Sequence, residues 1–216
     1  MISVRLFLGV LAVSAFAGDA SLSGLLKGVE TRYNRAKTLQ VLFHEEYTPP
    51  GPGGAPARRS ESGRLMLRKP GRMRWDYSQP KGKLFVSDGK VMWLYTPAEN
   101  RAEKMKLQES DDMRAPLAFL LGKLDFQKEF RNLQARPEGA AAGTRITAEP
   151  KSGNLPYSAV EFVVTRENRI REVKVTGFDN SILDFTFDEE SLAPPLDGKL
   201  FQFQAPPGAE VVEGGA

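Results

Sequence analysis

The chain contains no cysteine and only one histidine, His44. Without cysteine there is no disulfide framework, thiol nucleophile, iron–sulfur cluster or thiolate-bound zinc. Nor does the chain bear a cysteine that could itself be lipidated. One histidine excludes a multi-histidine metal site, and any Ser-His-Asp triad would have to use His44. Long apolar runs are missing too. Leu6 to Ala17 is the main one, and it falls short of the roughly 20 residues a membrane-spanning helix needs. Charge is nearly balanced, 30 basic against 27 acidic residues for a formal +3. That gives little electrostatic reason to expect a nucleic-acid partner. The G-x-S-x-G elbow of hydrolases is absent as well. These absences point away from enzymes and from cofactor or metal chemistry.

What is present starts with an address. Arg5 precedes the apolar run, and Ala15-Phe16-Ala17 fits a small-x-small cleavage pattern. Residues 1–17 are read as a signal peptide, with one domain over 18–216. Removing Arg5 leaves a net charge of 29 − 27 = +2. An exported, near-neutral protein without cysteine fits a bacterial periplasm or exterior.

From Ser21 to Lys37 the residues Leu22, Leu25, Leu26, Val29, Tyr33 and Ala36 recur at helical spacing, which predicts an amphipathic helix that must pack on something. Strand patterns follow: Leu39 to Tyr47, Gly63 to Arg68, Met73 to Tyr77, Lys83 to Ser87, Lys90 to Thr96 and Arg101 to Lys106. Later strands are expected at Phe126 to Leu133, Thr144 to Glu149, Ala159 to Thr165, Ile170 to Thr176 and Ser181 to Phe187. The proline- and glycine-rich stretch Thr48 to Ser60 is a loop between hairpin strands. Asp88-Gly89 predicts a two-residue hairpin in which Ser87 faces Lys90 and Phe85 faces Met92, with positive φ at both turn positions. Glu167-Asn168 and Asp179-Asn180 mark further turns. Ser110 to Gly122 interrupts the strands, and Pro116, Leu117, Phe119, Leu120 and Leu121 suggest a short greasy helix. About eleven strands at meander spacing should coil towards a barrel.

Several strands are apolar on both sides, notably Leu65-Met66-Leu67 and Val91 to Tyr95. A sheet with one wet face alternates instead. Strand parity groups Phe85, Met92 and Leu94 on one face and Val86, Val91, Trp93 and Tyr95 on the other. Parity alone leaves open which face is a cavity and which is core.

The segments Gly63 to Trp75, Gln79-Pro80 and Val86 to Pro97 resemble LolA, the periplasmic lipoprotein carrier family. Ala115 to Gly122 is similar to that family's lid segment, and Phe201 to Gly208 to its C-terminal signature. The resemblance implies an unclosed, strongly curved antiparallel β-barrel whose concave face is covered by helices. It implies a monomeric carrier, not an enzyme, with no cofactor or metal. Its cargo would be acylated lipoproteins, received from an inner-membrane LolCDE-type ABC transporter; some systems pass them to an outer-membrane LolB-type acceptor. The acyl-chain cavity would include Phe85, Met92 and Leu94, with Leu65, Leu67 and Trp75 added by parity. Leu117, Phe119, Leu120 and Leu121 would form the lid's inner surface. The family's lid-latching arginine is replaced by Lys69, which lacks the planar fork, with Arg68 beside it as a substitute. Met73 takes the place of a bulky apolar residue that meets the transporter. A lipid sensor, or a carrier of another lipid on the same barrel, is the alternative.

Other residues carry blander readings. His44 is expected to be solvated or structural, and its neighbours Glu45 and Glu46 point to opposite faces. Asp111-Asp112 reads as a charged loop. The basic stretch Arg58, Arg59, Arg64, Arg68, Lys69, Arg72 and Arg74 suits either an acidic or anionic-lipid partner or soluble strand edges.

Overall fold

A computed structural model describes residues 16–51, 58–106, 123–138, 143–153 and 155–213. Helix α1 (Phe16–Arg35) precedes a run of strands: β1 (Thr38–Thr48), β2 (Arg59–Arg68), β3 (Arg72–Gln79), β4 (Leu84–Asp88), β5 (Val91–Thr96) and β6 (Arg101–Lys106). A short helix α2 (Phe126–Glu129) leads into β7 (Phe130–Pro137), β8 (Thr144–Pro150), β9 (Tyr157–Val164), β10 (Ile170–Gly177) and β11 (Ile182–Leu192). Strand β12 (Glu210–Glu213) closes the order.

All twelve strands form one sheet, ordered β12-β6-β5-β4-β3-β2-β1-β11-β10-β9-β8-β7. Two antiparallel meanders, β1 to β6 and β7 to β11, are joined where β1 pairs with β11. The sheet ends at β7 and β12, so the barrel is unclosed and curved. Strand β12, absent from the sequence expectation, is four residues long and pairs parallel with β6.

The expected elements are mostly present, with two physical corrections. Phe126–Glu129 is a helical turn and not the start of a strand, because the Asp125 carboxylate caps it by accepting from the Lys128 amide at 3.1 Å. The β4–β5 turn is wider than two residues: Asp88 Oδ1 accepts from the amides of Lys90 and Val91 at 2.8 and 2.9 Å. Ser87 therefore faces Met92, and Phe85 faces Leu94. Only Gly89 of the pair has positive φ, +99°. The register slips by two, so parity and the predicted faces survive. Phe201 lies in a 3₁₀ turn, Gly198–Phe201. The turns at Asn168 and Asn180 are as read, each with a left-handed asparagine at φ 60° and 65°.

One apolar cluster fills the concave side. Leu26, Val29 and Tyr33 of α1 pack there onto Val41, Phe43, Leu65, Trp75, Phe162, Phe185 and their neighbours. Gly63 marks where β2 and β3 approach most closely. A β-carbon there would sit 2.1 Å from the Asp76 carbonyl oxygen, at a register shift between Ser62 and Gly63.

The opposite face of β2 to β5 is apolar too, and the C-terminal chain covers it. Met66, Val86 and Phe201 are buried there. Arg68 Nη1 donates to the Leu196 carbonyl at 2.9 Å, and Arg74 Nη1 to that of Leu200 at 2.9 Å. Phe203 packs on Trp93 and Tyr95, at centroid distances of 5.3 and 6.0 Å. Asn100 Nδ2 then holds the Gly208 carbonyl at 2.7 Å, delivering the chain to β12.

Candidate functional site

The candidate site is the concave apolar face. Alternation along β2, β3, β4 and β5 brings Leu65, Leu67, Trp75, Phe85 and Met92 onto it, all 2% exposed or less, with Leu94 packed at the margin. The six residues assigned to an acyl-chain cavity thus share one surface. The other half of that surface was not singled out beforehand: Phe126, Phe130, Ile146, Phe162, Val173, Phe185 and Phe187 continue it across β7 to β11. Their signal was ordinary alternation, which marks any sheet with one buried face.

Among the described residues the side chains of this face are almost all buried against one another and α1. An interior void of about 10 Å³ lies between Tyr33, Leu39, Val41, Leu65, Ile170, Phe187 and Glu190. That is room for about one water molecule.

Helix α1 roofs this void, and polar groups fasten its C-terminal end. Glu190 accepts from Arg32 through Nε at 3.0 Å and from Tyr33 Oη at 2.6 Å. Tyr33 Oη in turn accepts from the Ile170 amide at 2.9 Å. Burial, and then the Glu190 charge, raise the Tyr33 pKa far above its ordinary value. Glu190 reaches inward because of a bulge. Gln40 faces Ser191 while Leu42 faces Asp188, so β11 places two residues against Val41. Glu189 takes φ 50°, and the inward position passes to Glu190, whose side chain is 3% exposed. Sequence alternation could not reveal this.

Lys69 also acts on α1. Its Nζ donates to the Tyr33 carbonyl at 2.9 Å, one of the carbonyls left open where the helix ends. Burial lowers its pKa. Further along α1, Asn34 grips Leu124 twice: Nδ2 donates to its carbonyl at 2.8 Å and Oδ1 accepts from its amide at 2.7 Å. Glu30 Oε1 accepts from the Phe126 amide at 3.1 Å. The chain that follows residue 122 is therefore anchored to α1. Leu117, Phe119, Leu120 and Leu121, the expected lid, lie outside the described residues, as do Asp111 and Asp112.

Two further residues named from the sequence take definite positions. Arg68 points to the outer face and holds Leu196, so it stands away from the end of α1 that Lys69 engages. Met73 is 2% exposed on the concave face, because β3 parity sets it with Trp75 and Tyr77. Its side chain therefore lies among the core side chains of that face.

His44 is exposed on the outer face. Ser60 Oγ at 3.3 Å and Glu46 Oε1 at 3.6 Å both approach its Nε2. A relay needs one partner on each ring nitrogen, so this trio is not arranged as a triad. Glu45 points the other way and is buried, as strand geometry requires. Among the described residues no group of three or more His, Asp or Glu could hold a metal, and no helix is long and apolar enough to cross a membrane.

The sheet is open, antiparallel apart from β12, and carries an apolar concave face under a helix. Residues 37–204 match the family model "Outer membrane lipoprotein carrier protein LolA", and the chain belongs to that family. It is 26% identical to the outer-membrane lipoprotein carrier protein of Chromobacterium violaceum over 95% of this chain and 92% of that one. It is also 26% identical to the Nitrosomonas europaea protein of the same name, over 96% and 97%. Among solved structures, an uncharacterized conserved protein from Thermus thermophilus shares the fold, with a TM-score of 0.50 at 15% identity over 89% of this chain and 99% of that one.

Proposed function

We propose that the chain is a periplasmic chaperone that takes the acyl chains of lipoproteins onto its concave face. It would receive them from an inner-membrane ABC transporter of the LolCDE type and carry them to the outer membrane, after export by the segment 1–17. The observation that carries this reading is the continuous apolar face running from β5 to β8 under a helix that packs on it and is fastened by polar groups at its C-terminal end.

The physical demand is clear. A triacylated lipoprotein exposes roughly 45 methylenes, on the order of 30–40 kcal/mol of apolar hydration at about 0.8 kcal/mol per CH₂. A water-filled cavity of that size would be costly when empty. A face packed under α1, with the expected lid over the rest, avoids that cost. Cargo then replaces the cover, so much of its burial energy is spent displacing contacts already made. The remaining affinity is low enough for release at the next station. No nucleophile, base or metal is required.

The relatives named as outer-membrane lipoprotein carriers support the cargo class. Pull-down of the tagged protein from a periplasmic extract, with mass spectrometry of the bound species, tests it. Recovery of diverse acylated lipoproteins is the expected result. Recovery of free lipids alone, or of one signalling partner, would replace carriage by a sensing or other-lipid role. The Lys69→Leu variant is expected to trap cargo or impair its release, because the tie between the β2–β3 turn and α1 is lost. Unchanged transfer would remove Lys69 from the mechanism.

A further inference from the structure

Trp75 is wholly buried at the middle of the concave face, yet its indole Nε1–H has no hydrogen-bond acceptor among the described residues. Its surroundings explain this. The ring meets Phe43 edge-on at 4.7 Å and Phe185 at 5.5 Å, and Leu65 and Phe85 flank it across the ladder. Aromatic faces are at best weak acceptors compared with a carbonyl oxygen. A buried donor without a partner carries a desolvation penalty that a leucine or phenylalanine would not. Packing calls for a large apolar ring here but makes no use of its N–H, so packing alone does not account for the indole nitrogen.

Acyl chains do not arrive alone. Each is joined to its carrier molecule through an ester or amide, whose carbonyl is a strong acceptor that loses water on entering an apolar face. We propose that Trp75 Nε1–H is the donor that receives an acyl-linkage carbonyl of the cargo, so that two desolvation penalties cancel in one hydrogen bond. This rests on the reading of the face as an acyl-chain site. It would make the face selective for esterified or amidated chains over plain hydrocarbon.

The test uses two soluble peptides, one bearing a diacylglyceryl cysteine and the other the matching dialkyl ether, which differ only in the ester carbonyls. Wild-type protein is expected to bind the ester form about tenfold more tightly, and Trp75→Phe to lose that preference while still binding both. The intact protein supplies a second readout. Its two tryptophans, Trp75 and Trp93, lie on opposite faces of the sheet. The ester peptide should move the Trp75 indole N–H resonance and leave that of Trp93 in place, whereas the ether should leave Trp75 without the downfield shift of a new hydrogen bond. A diacyl phospholipid forms the third arm: a shift with either ester source supports the donor role, and its strength ranks the two. Equal binding of ester and ether by wild type, with no such shift, overturns the proposal and leaves carriage intact. Failure to bind any acyl peptide overturns carriage, and this inference with it.

Discussion

The two meanders of the sheet solve the same problem differently. Strands β8 to β11 bury one face and cover the other mainly with charged side chains, beneath which Val163 is buried. There Arg145 holds Glu138 at 2.7 Å and Glu161 at 3.1 Å and lies 3.5 Å from Glu172, an ion network laid across the outer surface. Strands β2 to β5 bury both faces, one under α1 and the other under the C-terminal chain from Leu196 to Phe203. Apolar residues on both sides of a strand therefore do not by themselves mark a cavity. Half of that grease is a permanent seam, fixed by arginines donating to backbone carbonyls. The other half is the face whose cover must lift if cargo is to enter.

The largest expected effect falls where the faces meet the core. Phe162→Ala removes a wholly buried ring that packs edge-on against Phe126 and Phe130, and should cost about 3–5 kcal/mol by urea denaturation. A loss below about 1 kcal/mol would mean that the C-terminal meander is looser than described. Next, Glu190→Gln takes the charge from the acceptor shared by Arg32 and Tyr33. It should cost about 2–3 kcal/mol, and hydrogen exchange should rise in the last turns of α1 before it rises in the sheet. Uniform exchange would deny that α1 is a separately fastened cover.

A pH dependence distinguishes the halves as well. Burial, reinforced by the nearby Glu129 charge, pushes the Tyr157 phenol up to about 12. A phenol raised above its unfolded value of about 10 contributes stability that is fully present below pH 10 and is lost as pH climbs towards 12. Unfolding followed from pH 9 to 12 should show this loss in wild type and a smaller one in Tyr157→Phe. Phe203→Ala should cost only about 1 kcal/mol, since its ring is partly exposed on the outer seam, and should leave cargo binding unchanged. The smallest change is Arg131→Ala, which removes an exposed pair with Glu149 and should stay within about 0.5 kcal/mol.

The sequence carried the fold through local signals. Alternation placed Phe85, Met92 and Leu94 together even though the β4–β5 register was off by two, because a slip of two keeps parity. Asn168 and Asn180 declared their turns through the left-handed backbone they tolerate. What stayed hidden depends on contacts far along the chain or on broken parity. Phe201 and Phe203 alternate as a strand would, yet they plug a face whose arginines, Arg68 and Arg74, lie well over a hundred positions earlier. Glu190 reads as one more acid in Asp188-Glu189-Glu190 until the bulge turns it inward. The orphan nitrogen of Trp75 needs three dimensions to be noticed, because any acceptor could have come from another strand.

The central claim is that cargo meets one face of β5 and not the other. Leu94 and Tyr95 are adjacent on that strand, point to opposite faces and are both partly exposed, so a photo-crosslinking amino acid fits at either. With Leu94 replaced, irradiation of cells should join the protein to acylated lipoproteins, and with Tyr95 replaced it should not. Equal crosslinking at both positions, or crosslinks to lipoproteins from Tyr95 alone, would contradict the assignment of the concave face as the carrier surface.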